Sequence, residues 1–378
     1  MNEKDAKKLF LTHGKIDRPF FIMTMSLLLF GLIMLFSASH ANAYYYEGDS
    51  YYYIKRQAIY ACIGLVALFV TSHFNYKNFK NLAYPLWVLS VALLFLTYFM
   101  RSSHGANRWI YIGSFSFQPS EIAKFALIIL FAKYISENQS RIKSLRYGTI
   151  PLLGFMLVIA TETLFQPHVS GTILIGIICL TMMFVGGCNF KHILSMGVCA
   201  VGLVVTAVFI KPDLFNHVIN RINYFINPWL DAQNKGYQII QSLLAIGSGG
   251  LLGVGFGESV QKYAYLPEVQ NDFIYPIIAE ELGFIGAALV IVLFAALIWR
   301  GFHIAIQTRD RFGSLIAVGI TVQIGIQAFL NIAVVTKTVP NTGISLPFFS
   351  YGGTSLVVIL AQIGVLLAVS RNSNYEKE

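Results

Sequence analysis

The chain has 378 residues, of which 56% are hydrophobic and only 12% are charged. A soluble globular domain carries about twice that share of charged residues, so water cannot be the main solvent of this surface. The net charge of +9 does not indicate a nucleic-acid-binding protein, because lysine and arginine are scattered over short segments and form no single basic face. The composition indicates a membrane protein.

Apolar stretches recur along nearly the whole chain, and each is long enough, at about 20 residues, to cross a hydrocarbon core about 30 Å thick. Runs with few or no charges predict ten spans, at residues 20–38, 57–73, 82–100, 119–136, 149–165, 171–187, 193–210, 273–299, 314–336 and 351–370. The predicted fold class is therefore all-α, a polytopic transmembrane helical bundle that forms one domain over residues 1–378. The first span follows a polar, basic leader and lacks a small-residue cleavage pattern, so we expect no cleavable signal peptide.

The distribution of lysine and arginine predicts the orientation of the bundle. If the N-terminus is cytoplasmic, the inner segments hold most of the 27 Lys and Arg residues, and the outer segments hold fewer over longer loops. The positive-inside rule then predicts that the leader, residues 1–18, and the tail, residues 371–378, both lie in the cytoplasm.

Residues 211–272, between the seventh and eighth spans, form a predicted extracytoplasmic loop that is too long for a simple turn. Within it, residues 227–229 predict a turn, residues 236–246 an amphipathic or re-entrant helix, and residues 247–257 a glycine-rich stretch. The glycines do not indicate a dinucleotide loop, because no strand precedes them. A flexible loop is the interpretation we favour for them, and an anion-binding nest of backbone N–H groups is the alternative.

Cysteine and histidine give no sign of a disulfide or a metal site. The four cysteines lie inside predicted spans or at their inner edge with no CxxC pair, and the eight histidines are dispersed. We therefore predict no structural metal. The tyrosines at positions 44–46 and 51–53 are typical of side chains that anchor a protein at the membrane–water interface.

Ionisable side chains inside a membrane span are costly, so they are candidates for function. Glu121 and Lys124 lie three residues apart on one helix face, where they form either an internal ion pair or part of a substrate site. Glu280 and Glu281 point in different directions, so at most one is expected to face a given cavity. Asp272 lies where the long loop meets the eighth span, and composition alone favours a helix N-cap there.

The ninth predicted span carries a polar seam on an otherwise apolar helix. Gln323, Gln327 and Asn331 follow one another at four-residue spacing, which places them on one face. Hydrogen bonding between helices is the interpretation we favour, and a cavity lining is the second.

Four sequence blocks stand out along the chain. The longest is PNTGISLPFFSYGGTS at residues 340–355. The others are NRWI at 107–110 with QPSEIAK at 118–124, GYQIIQS at 236–242, and YLPE at 265–268 followed by DFI at 272–274 and AEELG at 279–283. Together and in this order the blocks resemble those of the SEDS family (FtsW/RodA/SpoVE) of bacterial cell-wall polymerases, and the longest is similar to the family's C-terminal signature. The resemblance covers nearly the whole chain.

Two details refine the resemblance. The tyrosine-rich first outer loop, with IKRQ at residues 54–57, and the approach to the last block at Val335–Thr336 resemble FtsW or SpoVE more than RodA. The chain departs from the family before the sixth span, where many members carry Gln-Pro-Asp and this chain has Gln166, Pro167 and His168. An acidic residue therefore cannot be carried over to that position.

The resemblance implies an enzyme, a peptidoglycan glycosyltransferase that polymerises lipid II into glycan strands at the outer face of the bacterial cytoplasmic membrane. It also implies work in cell division or sporulation beside a class B penicillin-binding protein, a transpeptidase, and other membrane proteins of those complexes. No cofactor is certain, and assistance by Mg²⁺ or Mn²⁺ is left open. The alternatives are a lipid II flippase or transporter, and a noncatalytic scaffold of the division complex.

The reaction assigns roles to the charged candidates. The acceptor hydroxyl loses a proton as it attacks, and a carboxylate within hydrogen-bond reach can serve as general base, so we choose Asp272 as the catalytic residue. The leaving group is a lipid pyrophosphate, which needs no general acid but favours nearby cations, and Arg108, Lys124 and Lys262 are the candidates.

The remaining candidates have supporting roles in substrate binding. Glu121 is expected to hold Lys124 in place, and Gln241 to hydrogen-bond the substrate. Ser350 and Gly352 are expected to shape the opposite wall of the site through close approach of the backbone.

Overall fold

The computed structural model describes residues 14–100, 108–112, 115–166, 168–198, 202, 223–234, 236–263 and 265–375. The helices in chain order are α1 (Arg18–Glu47), α2 (Tyr52–His73), α3 (Phe79–Leu96), α4 (Pro119–Glu137), α5 (Ile150–Phe165), α6 (Val169–Val185), α7 (Tyr237–Ser248), α8 (Ile274–Gln307), α9 (Arg311–Val335) and α10 (Thr354–Tyr375). Residues 190–198 are also helical. Strands β1 (Ile110–Ile112) and β2 (Phe115–Phe117) form an antiparallel hairpin in which Ile110 is opposite Phe117.

Local signals in the sequence explain where several helices begin and end. Asp17 caps α1 by accepting a hydrogen bond from the N–H of Phe20, and Asp310 caps α9 by accepting one from Gly313, both at 3.0 Å. Gly48 ends α1 in the left-handed conformation at φ 72°, with its N–H donating to the carbonyl of Tyr44. Both ends of α1 and the start of α9 are therefore specified by the local sequence.

The predicted spans agree with the observed helices wherever the structure describes them. Nine of the ten coincide with a helix, whereas residues 199–201 and 203–210 of the predicted seventh span lie outside the described residues, as do residues 1–13 of the leader, 211–222 of the long loop and 376–378 of the tail. Among the described helices, seven are long and apolar enough to cross a membrane. The α6 helix is shorter, at 17 residues, and α4 carries four charged side chains.

The helices pack around α4, which lies near the centre of the bundle. The α4 helix contacts α3, α5, α6 and α9, while α8 contacts α1 and α9, and α10 lies mainly against α2. We call the end of the bundle where α1 begins and α10 ends the N-terminal face, and the opposite end the cavity face. The buried apolar core runs between the two faces through α1, α4, α8, α9 and α10.

The α8 helix is broken near the cavity face, which the continuous apolar run at 273–299 did not predict. Gly283 has φ 66° and ψ −166°, a conformation open to glycine but strained for other residues. The backbone of the glycine-rich stretch fits into the break: Val254 N–H donates to the carbonyl of Glu280 at 2.9 Å, and Phe284 N–H donates to that of Gly250 at 2.9 Å. Backbone groups freed by the break are thus paired inside the protein, as a low-dielectric environment requires.

The long segment before α8 is structured in its described part. The predicted turn at residues 227–229 is a 3₁₀ helix at Pro228–Asp231, and the predicted amphipathic helix is α7, one residue later at its start and two at its end. The glycine-rich stretch 247–257 is neither a free loop nor an open anion nest, because its backbone packs into the break of α8. The prediction of a flexible loop there was wrong.

The long signature loop between α9 and α10 lies against α1. Phe348 in this loop has a positive φ of 69° and is buried. A methyl group placed on Gly31 of α1 would come within 2.3 Å of the Phe348 carbonyl oxygen, so only glycine permits this approach. The loop is thereby held inside the bundle instead of lying over it.

Candidate functional site

A cavity of about 610 Å³ opens at the cavity face, within the size range of small-molecule sites. Its wall is built by α2, the β1–β2 hairpin, the first turns of α4 and α6, the chain before α8, and the signature loop before α10. Polar and aromatic side chains dominate the lining, which includes Tyr60, Arg108, Trp109, Gln118, Ser120, Glu121, Lys124, His168, Glu268, Asn271, Asp272, Gln327, Tyr351 and Gly352.

Asp272 lies in the wall of the cavity, just before α8. It is not the N-cap of that helix, because the cap position is Phe273 and carries no side-chain cap bond. Asn331 of α9 holds its backbone by donating from Nδ2 to the Asp272 carbonyl at 2.8 Å and to the Ile344 carbonyl at 2.7 Å. The main chain at Asp272 is therefore fixed, and its side chain lines the cavity.

The surroundings of Asp272 raise the pKa of its carboxyl toward neutral pH. Burial, and then nearby Glu268, raise the pKa of the Asp272 carboxyl to about 6, while Arg108 opposes the shift. A carboxylate with this pKa is matched to accepting a proton near neutral pH. Arg108 acts on Asp272 electrostatically, so the two side chains share one environment.

A buried ion pair forms another part of the wall. Lys124 Nζ lies 2.8 Å from Glu121 Oε1 and 2.8 Å from Oε2, with both side chains almost fully buried. Since both also line the cavity, the pair is internal and remains within reach of a ligand. Burial, with Arg108 and then Lys124 nearby, lowers the pKa of His168 to about 3 and keeps that imidazole neutral.

The signature loop completes the wall through backbone hydrogen bonds. Gln57 of α2, fully buried, donates to the carbonyl of Ser350 at 3.1 Å and accepts from the N–H of Gly352 at 3.4 Å. Tyr351 N–H donates to the carbonyl of Gln270 at 2.7 Å, which joins the loop to the chain beside Asp272. Ser350 supports the loop from within, its Oγ accepting from Leu346 N–H, while Gly352 lines the cavity.

The structure brings Arg108, Glu121, Lys124, Asp272 and Gly352 together and leaves three predicted site residues outside the lining. Ser350 lies behind the wall, as described above. Gln241 is half-buried on α7 away from the lining. Lys262 is fully buried.

Lys262 is one member of a buried cluster near the break in α8. Its Nζ donates to Glu281 Oε1 at 2.9 Å and to the Gly257 carbonyl, and Ser37 of α1 also donates to Glu281. Both glutamates of the AEELG block therefore have protein partners, because Glu280 accepts from the N–H of Val260 at 3.0 Å. The cluster ties the chain at 257–262 to α1 and α8.

The three side chains of the polar seam of α9 have different surroundings. Asn331 bonds the two loops, as described, and Gln327 lines the cavity. The amide of Gln323 is fully buried and has no hydrogen-bond partner among the described residues. Cavity lining, the second interpretation of the seam, therefore holds for Gln327. The favoured hydrogen bonding between helices is not seen among the described residues, because Asn331 bonds carbonyls in two loops.

Several lining residues were not chosen from the sequence. Glu268 and Trp109 stand within the blocks at 265–268 and 107–110, so their place in the motifs was the available signal. Tyr60 comes from the middle of α2, where nothing in the hydropathy separates it from interface tyrosines. His168 was noted only as a departure from the family, yet it lines the cavity beside Arg108.

Unpaired polar atoms collect around this cavity. Within the described residues, Ser120 Oγ, His168 Nδ1 and Gln327 Oε1 are buried without a hydrogen-bond partner, and all three side chains line the wall. Most buried polar atoms in folded proteins are paired, so this concentration favours a polar ligand that supplies the missing partners. Groups of three or more His, Cys, Asp or Glu with metal-binding geometry are absent from the described residues.

Comparison with known proteins agrees with the architecture. A model of the FtsW/RodA/SpoVE family, described as cell cycle proteins, matches residues 18–375. Stage V sporulation protein E of Bacillus subtilis (strain 168) is 44% identical over 358 residues, covering 94% of this chain and 96% of the relative. A probable peptidoglycan glycosyltransferase FtsW of Geobacter sp. (strain M18) is 38% identical, with 94% and 96% covered.

Solved structures show the same fold. A chain from a peptidoglycan synthase complex, studied for its coordination of polymerization and crosslinking, matches with a TM-score of 0.80 at 28% identity, covering 95% of this chain and 98% of that one. The rod shape determining protein RodA of Thermus thermophilus matches with a TM-score of 0.70 at 26% identity and the same coverage. This multi-pass membrane protein therefore belongs to the FtsW/RodA/SpoVE family.

Proposed function

We propose that this chain is a peptidoglycan glycosyltransferase that polymerises lipid II into glycan strands at the outer face of the bacterial cytoplasmic membrane, in cell division or sporulation. The observation that carries the proposal is the convergence of Asp272, Arg108 and Lys124 on one polar cavity. The names of the relatives support it, since several are probable peptidoglycan glycosyltransferases and one is a sporulation protein.

The proposed orientation places the cavity face outside the cell and both termini in the cytoplasm. Connections at the N-terminal face carry most of the lysine and arginine, which supports this orientation through the positive-inside rule. Lipid II presented at the outer leaflet would then reach the cavity directly.

Asp272 is the general base in the proposed reaction. The acceptor sugar hydroxyl attacks the anomeric carbon of the donor, its proton passes to the Asp272 carboxylate, and the bond from that carbon to the lipid pyrophosphate breaks. The departing pyrophosphate is already a stable anion, so protonation of the leaving group is not required. Asn331 keeps the backbone of Asp272 in place while the proton is transferred.

Arg108 and Lys124 are the groups that would contact the pyrophosphate and stabilise the charge that develops on it. The described lining also contains three carboxylates, Glu121, Glu268 and Asp272, so a bound pyrophosphate leaves an excess of negative charge. A divalent cation carried on the pyrophosphate would offset this excess, and Glu268 and Asp272 are the lining carboxylates that Lys124 does not neutralise. Loss of polymerisation on chelation, with recovery in graded Mg²⁺ or Mn²⁺, would support this role.

The proposed partner is a class B penicillin-binding protein that crosslinks the new strand. The structural relative from a complex that coordinates polymerization and crosslinking supports this choice. Other division or sporulation membrane proteins complete the proposed set, and no nucleic acid is involved.

Purified protein reconstituted in vesicles, with lipid II supplied on the side of the cavity face, tests the proposed activity. We expect glycan strands to form there with release of lipid pyrophosphate. A flippase would move lipid II without making glycan, and a scaffold would do neither. Absence of glycan from folded, reconstituted protein that also contains the partner would therefore contradict the proposal.

A further inference from the structure

A second cavity, of about 460 Å³, lies at the N-terminal face between the start of α1, the end of α2 and the end of α10. Its rim carries Lys15, Arg18, His73 and Arg371, and its described lining contains no carboxylate. The nearest acidic side chain in sequence, Asp17, is turned away: both of its carboxylate oxygens accept hydrogen bonds from Arg300. Four basic side chains therefore cluster at the end of the bundle opposite Asp272.

The floor of this second cavity is apolar. It is formed by Phe21 of α1, Leu68 and Phe69 of α2, and Leu367 of α10. Phe69 is 65% exposed and continues into an exposed apolar strip that includes Val66, at 64%, and Ile22, at 61%. In a membrane protein such a strip lies against acyl chains, so the cavity joins a cationic rim to the lipid-facing surface.

One basic side chain in the second cavity has a nitrogen that no described residue pairs. Arg371 donates from Nε to the carbonyl of Gly14 at 2.8 Å, which fixes the guanidinium at the rim. Its Nη1 is buried and has no hydrogen-bond partner among the described residues. A fixed guanidinium whose Nη1 has no partner among the described residues is suited to an anionic oxygen, above all that of a phosphate group.

We propose that this second cavity binds the phosphate of an anionic phospholipid in the leaflet next to the N-terminal face, with an acyl chain along the Phe21–Phe69 floor. The cationic rim and apolar floor match the two parts of such a lipid, and basic clefts between transmembrane helices are typical sites for anionic headgroups. The bound lipid would join α1, α2 and α10 at their ends. The inference does not depend on the chemistry at Asp272.

Native mass spectrometry of the detergent-purified full chain tests the proposal, with phosphatidylglycerol and phosphatidylcholine of equal chain length as probes. The variant Lys15→Gln/Arg18→Gln removes two rim charges and leaves Arg371 in place. Lys143→Gln/Lys191→Gln is the matched control, because it removes two exposed lysines outside the second cavity.

We expect the wild-type chain and the control to retain phosphatidylglycerol more tightly than phosphatidylcholine, and the rim variant to bind phosphatidylglycerol roughly tenfold more weakly or worse. Equal retention by the rim variant and the control would overturn the site. If the double variant is not monodisperse, the two single variants are each expected to show an intermediate loss, and no loss in either would overturn the site equally.

A competition experiment identifies the source of the phosphate. Millimolar inorganic phosphate and short-chain phosphatidylglycerol are added against the long-chain lipid. Weak competition by phosphate and stronger competition by the short-chain lipid support a lipid site. If inorganic phosphate displaced the long-chain lipid as well as the short-chain lipid does, the result would contradict a lipid site and assign the cavity to free phosphate.

Discussion

Asn331 of α9 donates one hydrogen bond to the main-chain carbonyl of Asp272, at 2.8 Å, and a second to that of Ile344, at 2.7 Å. One buried amide thus joins the chain that carries the proposed base to the signature loop beside it. The geometry of the site depends on this amide, although its side chain does not line the cavity.

Replacing Asn331 with alanine is predicted to lower both stability and activity. Two buried carbonyls lose their donor, at a cost of about 1–3 kcal/mol each, and Asp272 loses its fixed position. Thermal unfolding and polymerisation rate of the purified variant measure the two effects.

Gln323, two turns earlier on the same helix, is the control for Asn331. Its amide has no partner among the described residues, so Gln323→Leu is expected to be neutral or stabilising with activity retained. Equal losses from both substitutions would show that the Asn331 bonds have no special role.

The rate of polymerisation is predicted to depend on pH through Asp272. Because its pKa is raised to about 6, the base is increasingly protonated below that pH, and kcat/KM should fall tenfold per pH unit at the acidic end. His168, with a pKa lowered to about 3, is neutral throughout and should add no second inflection near neutrality. A profile flat from pH 5 to pH 8, in lipid II polymerisation assays, would contradict this role.

The same pKa shift predicts how stability depends on pH. A carboxyl whose folded-state pKa lies above its ordinary value of 3.8 binds its proton more tightly in the folded protein, so its contribution is lost as pH rises from about 4 to about 6. Asp272→Asn is therefore expected to be more stable at pH 7, by on the order of 1–3 kcal/mol, and to lack this pH dependence. Comparing thermal unfolding of both proteins from pH 4 to pH 8 provides the measurement.

The buried pair of Lys262 and Glu281 is predicted to be structural. Lys262→Met leaves the carboxylate of Glu281 buried without its charge partner, which costs about 3–5 kcal/mol, and Lys262→Met/Glu281→Gln should recover part of that loss. Thermal unfolding of the single and double variants measures the coupling.

Lys55 and Asp49 supply a matched control on the same face. Their ion pair is as short, at 2.7 Å, but the side chains are 64% and 42% exposed, so Lys55→Met should leave the unfolding midpoint nearly unchanged. A normally stable Lys262→Met protein with a raised KM for lipid II would instead support the substrate-binding role first expected of Lys262.

The break in α8 is predicted to require glycine at position 283. A methyl group there would lie 2.3 Å from Gly253 N and 2.5 Å from Leu251 O, and the positive φ adds strain of about 1–3 kcal/mol. Gly283→Ala should therefore destabilise the protein and disturb the segment that carries Asp272.

Gly154→Ala and Gly176→Ala are the controls, because both glycines lie in helices with open space at the added methyl group. Both variants should be neutral or slightly stabilising. Thermal unfolding of the three variants separates these outcomes.

Hydropathy predicted most of the spans, and five of the eight candidate residues chosen from the motifs line one cavity. Both outcomes have a physical reason. A spanning helix is specified locally, by length and composition, and the motif blocks supply most of the segments that form the cavity wall. Asp272, Arg108 and Lys124 could therefore be chosen without a structure.

The features that were missed depend on contacts between distant parts of the chain. Nothing in the apolar run around Gly283 reveals that the backbone of Val254 will pair with it, and nothing near Lys262 reveals Glu281 as its partner. The strands at Ile110–Ile112 and Phe115–Phe117 are three residues each, too short for an alternating pattern to stand out.

Polymerisation of lipid II by the Asp272→Asn protein, assayed beside Asp49→Asn as an exposed control, tests the central claim most directly. The account predicts that Asp272→Asn folds at least as stably as wild type and binds lipid II but forms no glycan, while Asp49→Asn remains active. Glycan formation by the folded Asp272→Asn protein at the wild-type rate would contradict the assignment of the general base.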